Sequence, residues 1–217
     1  MMDRIPPATK ALLLACGLIF LLQTQLGEIA FLHFMLWPAG DYALGMHEGR
    51  MITAGFLPWQ LLSYGFLHGN FAHIAFNALA LFMFGSAIEQ VWGARRYLYY
   101  VLFCIVGAGL IQLAVATWSV SSGGQPYPTV GISGGVFGVL LAYGMMFPER
   151  RVMLLFPPIP MKARTLVIGY GLMELVLGVS GTASGIAHFA HLGGMLFGFG
   201  LIQYWRGRWP FTPRRPE

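Results

Sequence analysis

Three short stretches hold the side chains able to do chemistry: HGNFAHIAFN at 68–77, GISGGVFG at 131–138 and AHLGGMLFG at 190–198. The first carries His68, His73 and Asn77, the second carries Ser133 among glycines, and the third carries His191, with His188 three residues upstream. A serine hydroxyl is a weak nucleophile until a neighbouring base takes its proton, and a histidine within hydrogen-bond reach is such a base. His73 and Asn77 are four residues apart and share a helix face. Both are therefore candidate donors to a tetrahedral oxyanion, together with the Ser133 backbone N–H. The chemistry indicated is attack of Ser133 on a peptide carbonyl, with a histidine passing the proton to the leaving amine. Spacing does not choose between His188 and His191, which fall on similar faces. Glu174 lies mid-segment and Glu28, Asp41 and Glu48 lie in outer or loop regions, so no carboxylate is evidently placed to orient the base. A Ser/His dyad is the economical reading. Without a cysteine or carboxylate completing a ligand set around the histidines, neither a metal nor a cofactor is expected.

Composition says what must hold these groups. Of 217 residues, 57% are hydrophobic and 10% charged, with mean hydropathy +0.66, whereas a soluble domain carries roughly 25% charged residues. Too few polar side chains are present to coat a globule, and aromatics are too plentiful for a disordered chain. The chain is predicted to be an all-α polytopic membrane protein. Six apolar segments approach the ~20 residues that a helical crossing needs, at roughly 11–32, 61–88, 97–117, 131–147, 164–182 and 186–205. The first follows Arg4 and Lys10 but lacks a small-x-small cleavage site, so it reads as an uncleaved helix and not a signal peptide. Residues 37–60 mix Trp37, Tyr42 and Trp59 with Asp41, Glu48 and Arg50, which suggests an interfacial or re-entrant stretch. The expected organisation is a single membrane domain over 1–217, with a six-helix core at about 11–205 and a short basic tail at 206–217. Cys16 and Cys104 fall inside apolar runs and read as packing residues.

Charge orients the bundle. Twelve of the thirteen Lys and Arg residues fall in alternate connections or the tails, and Arg50 alone lies on the other side. This positive-inside bias requires an even number of crossings and puts both termini in the cytoplasm. It also accounts for the net charge of +5 without nucleic acid. At ~1.5 Å per residue, His68, His73, Asn77, Ser133, His188 and His191 then share the outer half of the second, fourth and sixth segments. Polar groups within a membrane are costly and usually face a bundle interior or a water-filled cavity. Gly131, Gly134, Gly135 and Gly138, with Gly194 and Gly198, permit close helix approach between the fourth and sixth segments. Taken alone, these residues leave a hydrolase open beside a channel or transporter.

The three blocks together resemble the rhomboid family of intramembrane serine proteases. HGNFAHIAFN is similar to that family's H-x4-H-x3-N pattern, GISG to its G-x-S-G motif and AHLGG to its A-H-x-x-G pattern. The resemblance implies a six-helix rhomboid-like bundle, with Ser133 as nucleophile and His191, rather than His188, as general base. It implies an oxyanion-stabilising pair in His73 and Asn77, and supporting positions at His68, Phe137, Gly131 and Gly134. Phe137 corresponds to an aromatic that packs on the catalytic imidazole. Trp59 is followed by Gln60 where the family often has Trp-Arg.

The function implied is an intramembrane serine endopeptidase cutting near the outer end of transmembrane segments in single-pass or other membrane-protein substrates. Water must reach Ser133, and a substrate must lose local helix structure, which small or helix-weakening residues favour. The loops at 118–130 and 181–186 are candidate parts of a moving cap. The expected setting is a bacterial cytoplasmic membrane, multi-pass, contacting lipid and no nucleic acid, with the active site opening outward. Two rivals stand beside this reading. A non-catalytic rhomboid-like chaperone or quality-control factor would bind transmembrane helices without needing Ser133 and His191. A transporter would need a through-going polar path, whereas the inner halves of the second, fourth and sixth segments are mostly apolar.

Overall fold

In the computed structural model, which describes residues 5–153, 158–180 and 187–208, the first helix, α1 (Pro7–Leu26), starts on Pro6 and Pro7. Proline's fixed φ suits the first helical turn, where its missing N–H would have no partner anyway. Gly27, at φ 79°, ends it. The continuation expected to residue 32 is instead a separate 3-10 turn over Glu28–Phe34.

The stretch expected to be interfacial folds into an antiparallel hairpin, β1 (Asp41–His47) with β2 (Arg50–Gly55). Its two turn residues, Glu48 at φ 48° and Gly49 at φ 77°, are both left-handed, the geometry that matches the twist of paired strands. A small core of Leu32, Met35, Trp37, Ala54 and Leu67 anchors it. Gln60, at the start of the short helix α2 (Gln60–Ser63), is fully buried. Its amide accepts from the Trp37 N–H at 3.2 Å and donates to the carbonyls of Gly55 and His33. A neutral glutamine therefore ties the hairpin down.

The second membrane segment begins later than its hydropathy suggests. α3 (Phe71–Ala80) starts at Asn70, whose Oδ1 accepts the His73 N–H at 2.8 Å, because an asparagine N-cap satisfies an amide that the helix leaves unpaired. A π-helical turn, Leu81–Gly85, joins it to α4 (Ser86–Trp92). His68 consequently sits in the turn before the helix and not on its face.

α5 (Ala94–Ser121) is the longest helix among the described residues and the centre of the core. Tyr97, Tyr100, Val101, Cys104, Ile105 and Ala108 are all fully buried along it. α6 (Ser133–Met146), α7 (Ala163–Ser180) and α8 (His188–Trp205) complete the bundle, and α8 packs on both α5 and α6. Two buried phenols pin this core: Tyr64 donates to the Ile105 carbonyl and Tyr100 to the Gly138 carbonyl, both at 2.8 Å. A second hairpin, β3 (Arg151–Met153) with β4 (Pro160–Lys162), lies between α6 and α7. Cys16 and Cys104 are buried free thiols.

Outside this core the surface is apolar. Leu18, Leu22, Phe76, Ile168, Val176 and Leu196 are all exposed, while Gln112, Asn77, Glu89, Glu174 and His191 are buried. That inversion belongs to a protein solvated by lipid. Among the described residues four spans, Pro7–Leu26, Phe71–Trp92, Ala94–Ser121 and Ala163–Ser180, are long and apolar enough to cross a membrane. α6 has only 14 residues, and α8 carries His188, His191, Gln203 and four glycines. The architecture is that of an all-α polytopic membrane protein with, among the described residues, two small antiparallel strand pairs in its connections.

Charged groups gather at one end. Glu89, near the end of α4, accepts the backbone N–H groups of Ala8 and Thr9 and the Thr9 hydroxyl, at 2.7–2.8 Å. The Arg96 guanidinium lies 4.2 Å over the Trp205 ring, and Glu149 pairs with Lys162 and Arg164. The 181–186 connection, Arg4 and tail residues 209–217 lie outside the described residues.

Candidate active site

Ser133 is the first residue of α6, so its side chain stands where helical N–H groups have no intrahelical acceptor and the helix dipole is positive. Gly131, two residues earlier, has φ 121°, a conformation that L side chains rarely adopt. Its N–H donates to the Tyr64 carbonyl at 2.9 Å. A Cβ built on Gly131 would sit 2.6 Å from His73 Cε1, 2.7 Å from His73 Nε2 and 3.7 Å from Ser133 Oγ. The glycine therefore leaves room for the His73 imidazole beside the serine.

His191 lies in the first turn of α8. Its Nε2 is 2.8 Å from Ser133 Oγ. The contact depends on backbone-to-backbone packing, because a Cβ on Gly194 would overlap the Gly134 carbonyl. Phe137 stacks on the His191 imidazole, with ring centroids 4.2 Å apart and planes 6° from parallel.

His68 and His73 meet edge to face at 5.1 Å, although five residues of regular helix would turn them about 140° apart. The difference arises from the Asn70 cap, which takes His68 off the helix. The His68 backbone is clasped by Gln23 of α1, which accepts its N–H at 3.0 Å and donates to its carbonyl at 3.3 Å. Both ring nitrogens of His68 and the Asn77 amide nitrogen are buried without a well-formed hydrogen bond among the described residues. They line a cavity of about 320 Å³ together with Cys16 and Ile132. An unpartnered buried donor is costly, so the Asn77 amide is a donor not yet committed to any acceptor.

One residue changes the expected arrangement. Glu174 of α7 is buried, with Oε2 2.6 Å from His188 Nδ1 and 3.0 Å from His191 Nδ1. A carboxylate does stand beside the imidazole that faces Ser133, which corrects the expectation that none is placed there. The sequence placed Glu174 within an apolar segment, but the rotation of α7 that turns it inward was not legible. An ionisable residue inside an apolar segment was the available signal.

Glu174, His188 and His191 have ligand atoms within 4.8 Å of one another, so they correct the notion that no carboxylate completes a ligand set. The 2.6 Å Oε2–Nδ1 separation is nevertheless a charge-assisted hydrogen bond. Two ligand atoms on a tetrahedral zinc with ~2.0 Å bonds stand roughly 3.2 Å apart or more.

The comparisons with known proteins agree in kind. A family model described as Rhomboid domain matches residues 56–207. Rhomboid protease GluP of Bacillus subtilis (strain 168) is 34% identical over 160 residues, covering 72% of this chain and 28% of that protein. The mitochondrial presenilin-associated rhomboid-like protein of Homo sapiens is 30% identical over 156 residues, covering 68% and 39%. Rhomboid protease GlpG of Yersinia pestis (strain Pestoides F) is 25% identical over 202 residues, covering 93% and 63%. The aligned region spans less than two thirds of each relative's own length. The matched segment takes in His68, His73, Asn77, Ser133, Glu174, His188 and His191, and the chain belongs to the Rhomboid family.

Proposed function

We propose that the protein is an intramembrane serine endopeptidase that hydrolyses peptide bonds in or near the outer ends of transmembrane segments. The carrying observation is the 2.8 Å separation of Ser133 Oγ and His191 Nε2. The relatives GluP and GlpG are both rhomboid proteases, which supports the same reading.

In this mechanism His191 Nε2 takes the Ser133 proton as Oγ bonds to the substrate carbonyl carbon, forming a tetrahedral oxyanion. His73, the Asn77 amide and the Ser133 N–H donate to that oxygen. The imidazolium returns its proton to the leaving amine as the C–N bond breaks, leaving an acyl-serine. Water then attacks the acyl carbon, giving its proton to His191, and the carboxylate product leaves as Oγ recovers a proton. Phe137 restrains the imidazole plane, His68 supports the turn before α3, and Gly131 and Gly134 make room for the reacting groups. No cofactor or metal enters the reaction.

Six crossings with both termini cytoplasmic are the topology proposed, in a single membrane domain. The charge bias supports it, as does the shared end of Glu89, Arg96 and Glu149. α6 supports a recessed site: 14 residues rise about 21 Å, short of a hydrocarbon core of roughly 30 Å. A serine at the outer end of so short a helix is below the membrane surface when its other end is at the inner boundary. The setting proposed is a bacterial cytoplasmic membrane, with the site opening outward to membrane-protein substrates and lipid around the bundle.

The test is cleavage of a labelled single-pass substrate by the reconstituted chain. Ser133→Ala and His191→Ala abolish cleavage while the fold persists. Residual turnover in either variant rejects the pair, and an inactive native chain that still binds the substrate favours a helix-binding chaperone.

A further inference from the structure

We propose that Glu174 is a positioning residue for His191, held in place by His188, so that hydroxyl, imidazole and carboxylate form one relay. This rests on the reading of Ser133 and His191 as the reacting pair.

The placement of Glu174 is unusual for its helix. Leu172, Leu175, Val176 and Val179 of α7 are exposed on the apolar surface, whereas Glu174 is 5% exposed. A buried carboxylate in a membrane helix is costly unless partners satisfy it, and among the described residues its partners are two imidazoles of α8. An ionised carboxylate only accepts hydrogen bonds. Oε2 lies 2.6 Å from His188 Nδ1 and 3.0 Å from His191 Nδ1, so a lone pair on either nitrogen would face a negative oxygen. Each Nδ1 therefore carries hydrogen.

For His191 this choice has a chemical consequence. With hydrogen on Nδ1, neutral imidazole has its lone pair on Nε2, the atom 2.8 Å from Ser133 Oγ. The hydroxyl then donates to Nε2, as a general base requires. The opposite tautomer would present N–H to the serine and could not take its proton.

Glu174 is divided between two imidazoles, and His188 has the closer contact. The His191 Nδ1–H lacks a well-aligned acceptor in this resting state, although Oε2 is 3.0 Å away. Hydrogen bonds of this kind often tighten only when substrate is bound. Once Nε2 takes the serine proton, the imidazolium and carboxylate attract each other, and the shared oxygen moves toward His191. His188 keeps the acid aimed during the cycle: among the described residues its Nε2 has no partner, and its Nδ1 bonds Glu174. The titratable neighbours of His191 are Glu174 from α7, His188 from its own helix and, beyond Ser133 and Gly131, His73 from α3.

The experiment uses the full chain with a labelled single-pass substrate. Glu174→Gln lowers kcat on the order of 10²-fold or more, since a neutral amide permits the wrong imidazole tautomer, and leaves KM within about threefold. Glu174→Asp recovers part of the loss. His188→Ala lowers kcat less, and His188→Asn, whose amide nitrogen can replace Nδ1 as donor, restores it. Nitrogen-15 NMR of histidine-labelled protein, with His191 assigned from His191→Ala, shows hydrogen on Nδ1 in the native chain and a mixture in Glu174→Gln. A folded Glu174→Gln enzyme with kcat within about threefold of native overturns the proposal. So does a native His191 carrying hydrogen on Nε2, a measurement that needs no variant to fold. Cleavage surviving in Ser133→Ala would instead reject the reading of the reacting pair beneath it.

Discussion

Ser133 Oγ and His191 Nε2 lie 2.8 Å apart across 58 residues of chain, and two glycines set that distance. Gly134 directly follows the serine, and Gly194 is three residues past the histidine. Their backbones meet where a Cβ on Gly194 would strike the Gly134 carbonyl. The α6–α8 separation is therefore fixed by main chain and not by adjustable side chains.

Gly194→Ala pushes the two helices apart at the level of the reacting atoms. The expected cost is about 1–3 kcal/mol, as for other overpacked interiors, with at least a tenfold fall in cleavage because the proton-transfer distance lengthens. Thermal unfolding in detergent and substrate turnover measure the two effects. Native activity in this variant would mean that the seam adjusts more easily than its backbone contact implies.

Phe137→Ala removes the ring stacked at 4.2 Å on His191. The imidazole gains rotational freedom, and kcat is expected to fall about tenfold with KM nearly unchanged, as for loss of an interaction that serves the transition state. Phe137→Leu, which keeps bulk but no parallel face, falls between. Steady-state kinetics on all three chains decides the order.

Asn77→Ala separates a reaction role from a packing role. The Asn77 amide nitrogen has no hydrogen-bond partner among the described residues, so removing it sacrifices none of their hydrogen bonds. Stability should change by less than about 1 kcal/mol, while kcat falls on the order of 10²-fold for loss of an oxyanion donor. A large drop in unfolding temperature with normal turnover per folded molecule would reverse that assignment.

Glu89→Ala leaves the Ala8 and Thr9 N–H groups and the Thr9 hydroxyl without their buried acceptor. Hydrogen bonds to a charged group contribute about 1.5–3 kcal/mol, so a loss of about 3 kcal/mol is expected. Activity at low temperature should survive, because the clasp is at the far end of the bundle from Ser133. Denaturant titration beside a cold activity assay tests both halves.

Glu149 supplies a pH-dependent case outside the bundle. A hydrogen bond from Lys162, helped by Arg164, holds its carboxyl below the ordinary value of 4.5. The folded state therefore favours the ionised form. Its stabilisation is present above the ordinary carboxylate value and is lost as pH falls through the lowered one. The pair is exposed and screened by salt, so the Tm difference between the native chain and Glu149→Gln should be small at neutral pH. It should vanish in strong acid or at high ionic strength.

The apolar runs made the helices legible, since lipid-facing and core-facing residues are both hydrophobic here. That same uniformity hid the helix ends: residues 61–67 are as apolar as α3 itself, and only Asn70, three residues before His73, marked where that helix begins. Ser133 and His191 stood out because each lies in a dense local pattern of small residues. Glu174 did not, because its meaning depends on the rotation of α7 against α8, a long-range packing result that no local spacing records. Gln23 and Gln60 were missed for a related reason. Each serves backbone groups of a distant turn, and a neutral amide in an apolar run has no motif to announce it.

The Glu89 clasp also bears on biogenesis. Its acceptor is made 80 residues after the Thr9 donors it holds, so α1 is synthesised before the residue that anchors its start. The end of α1 that Glu89 holds is thus secured only once the α3–α4 span stands beside it.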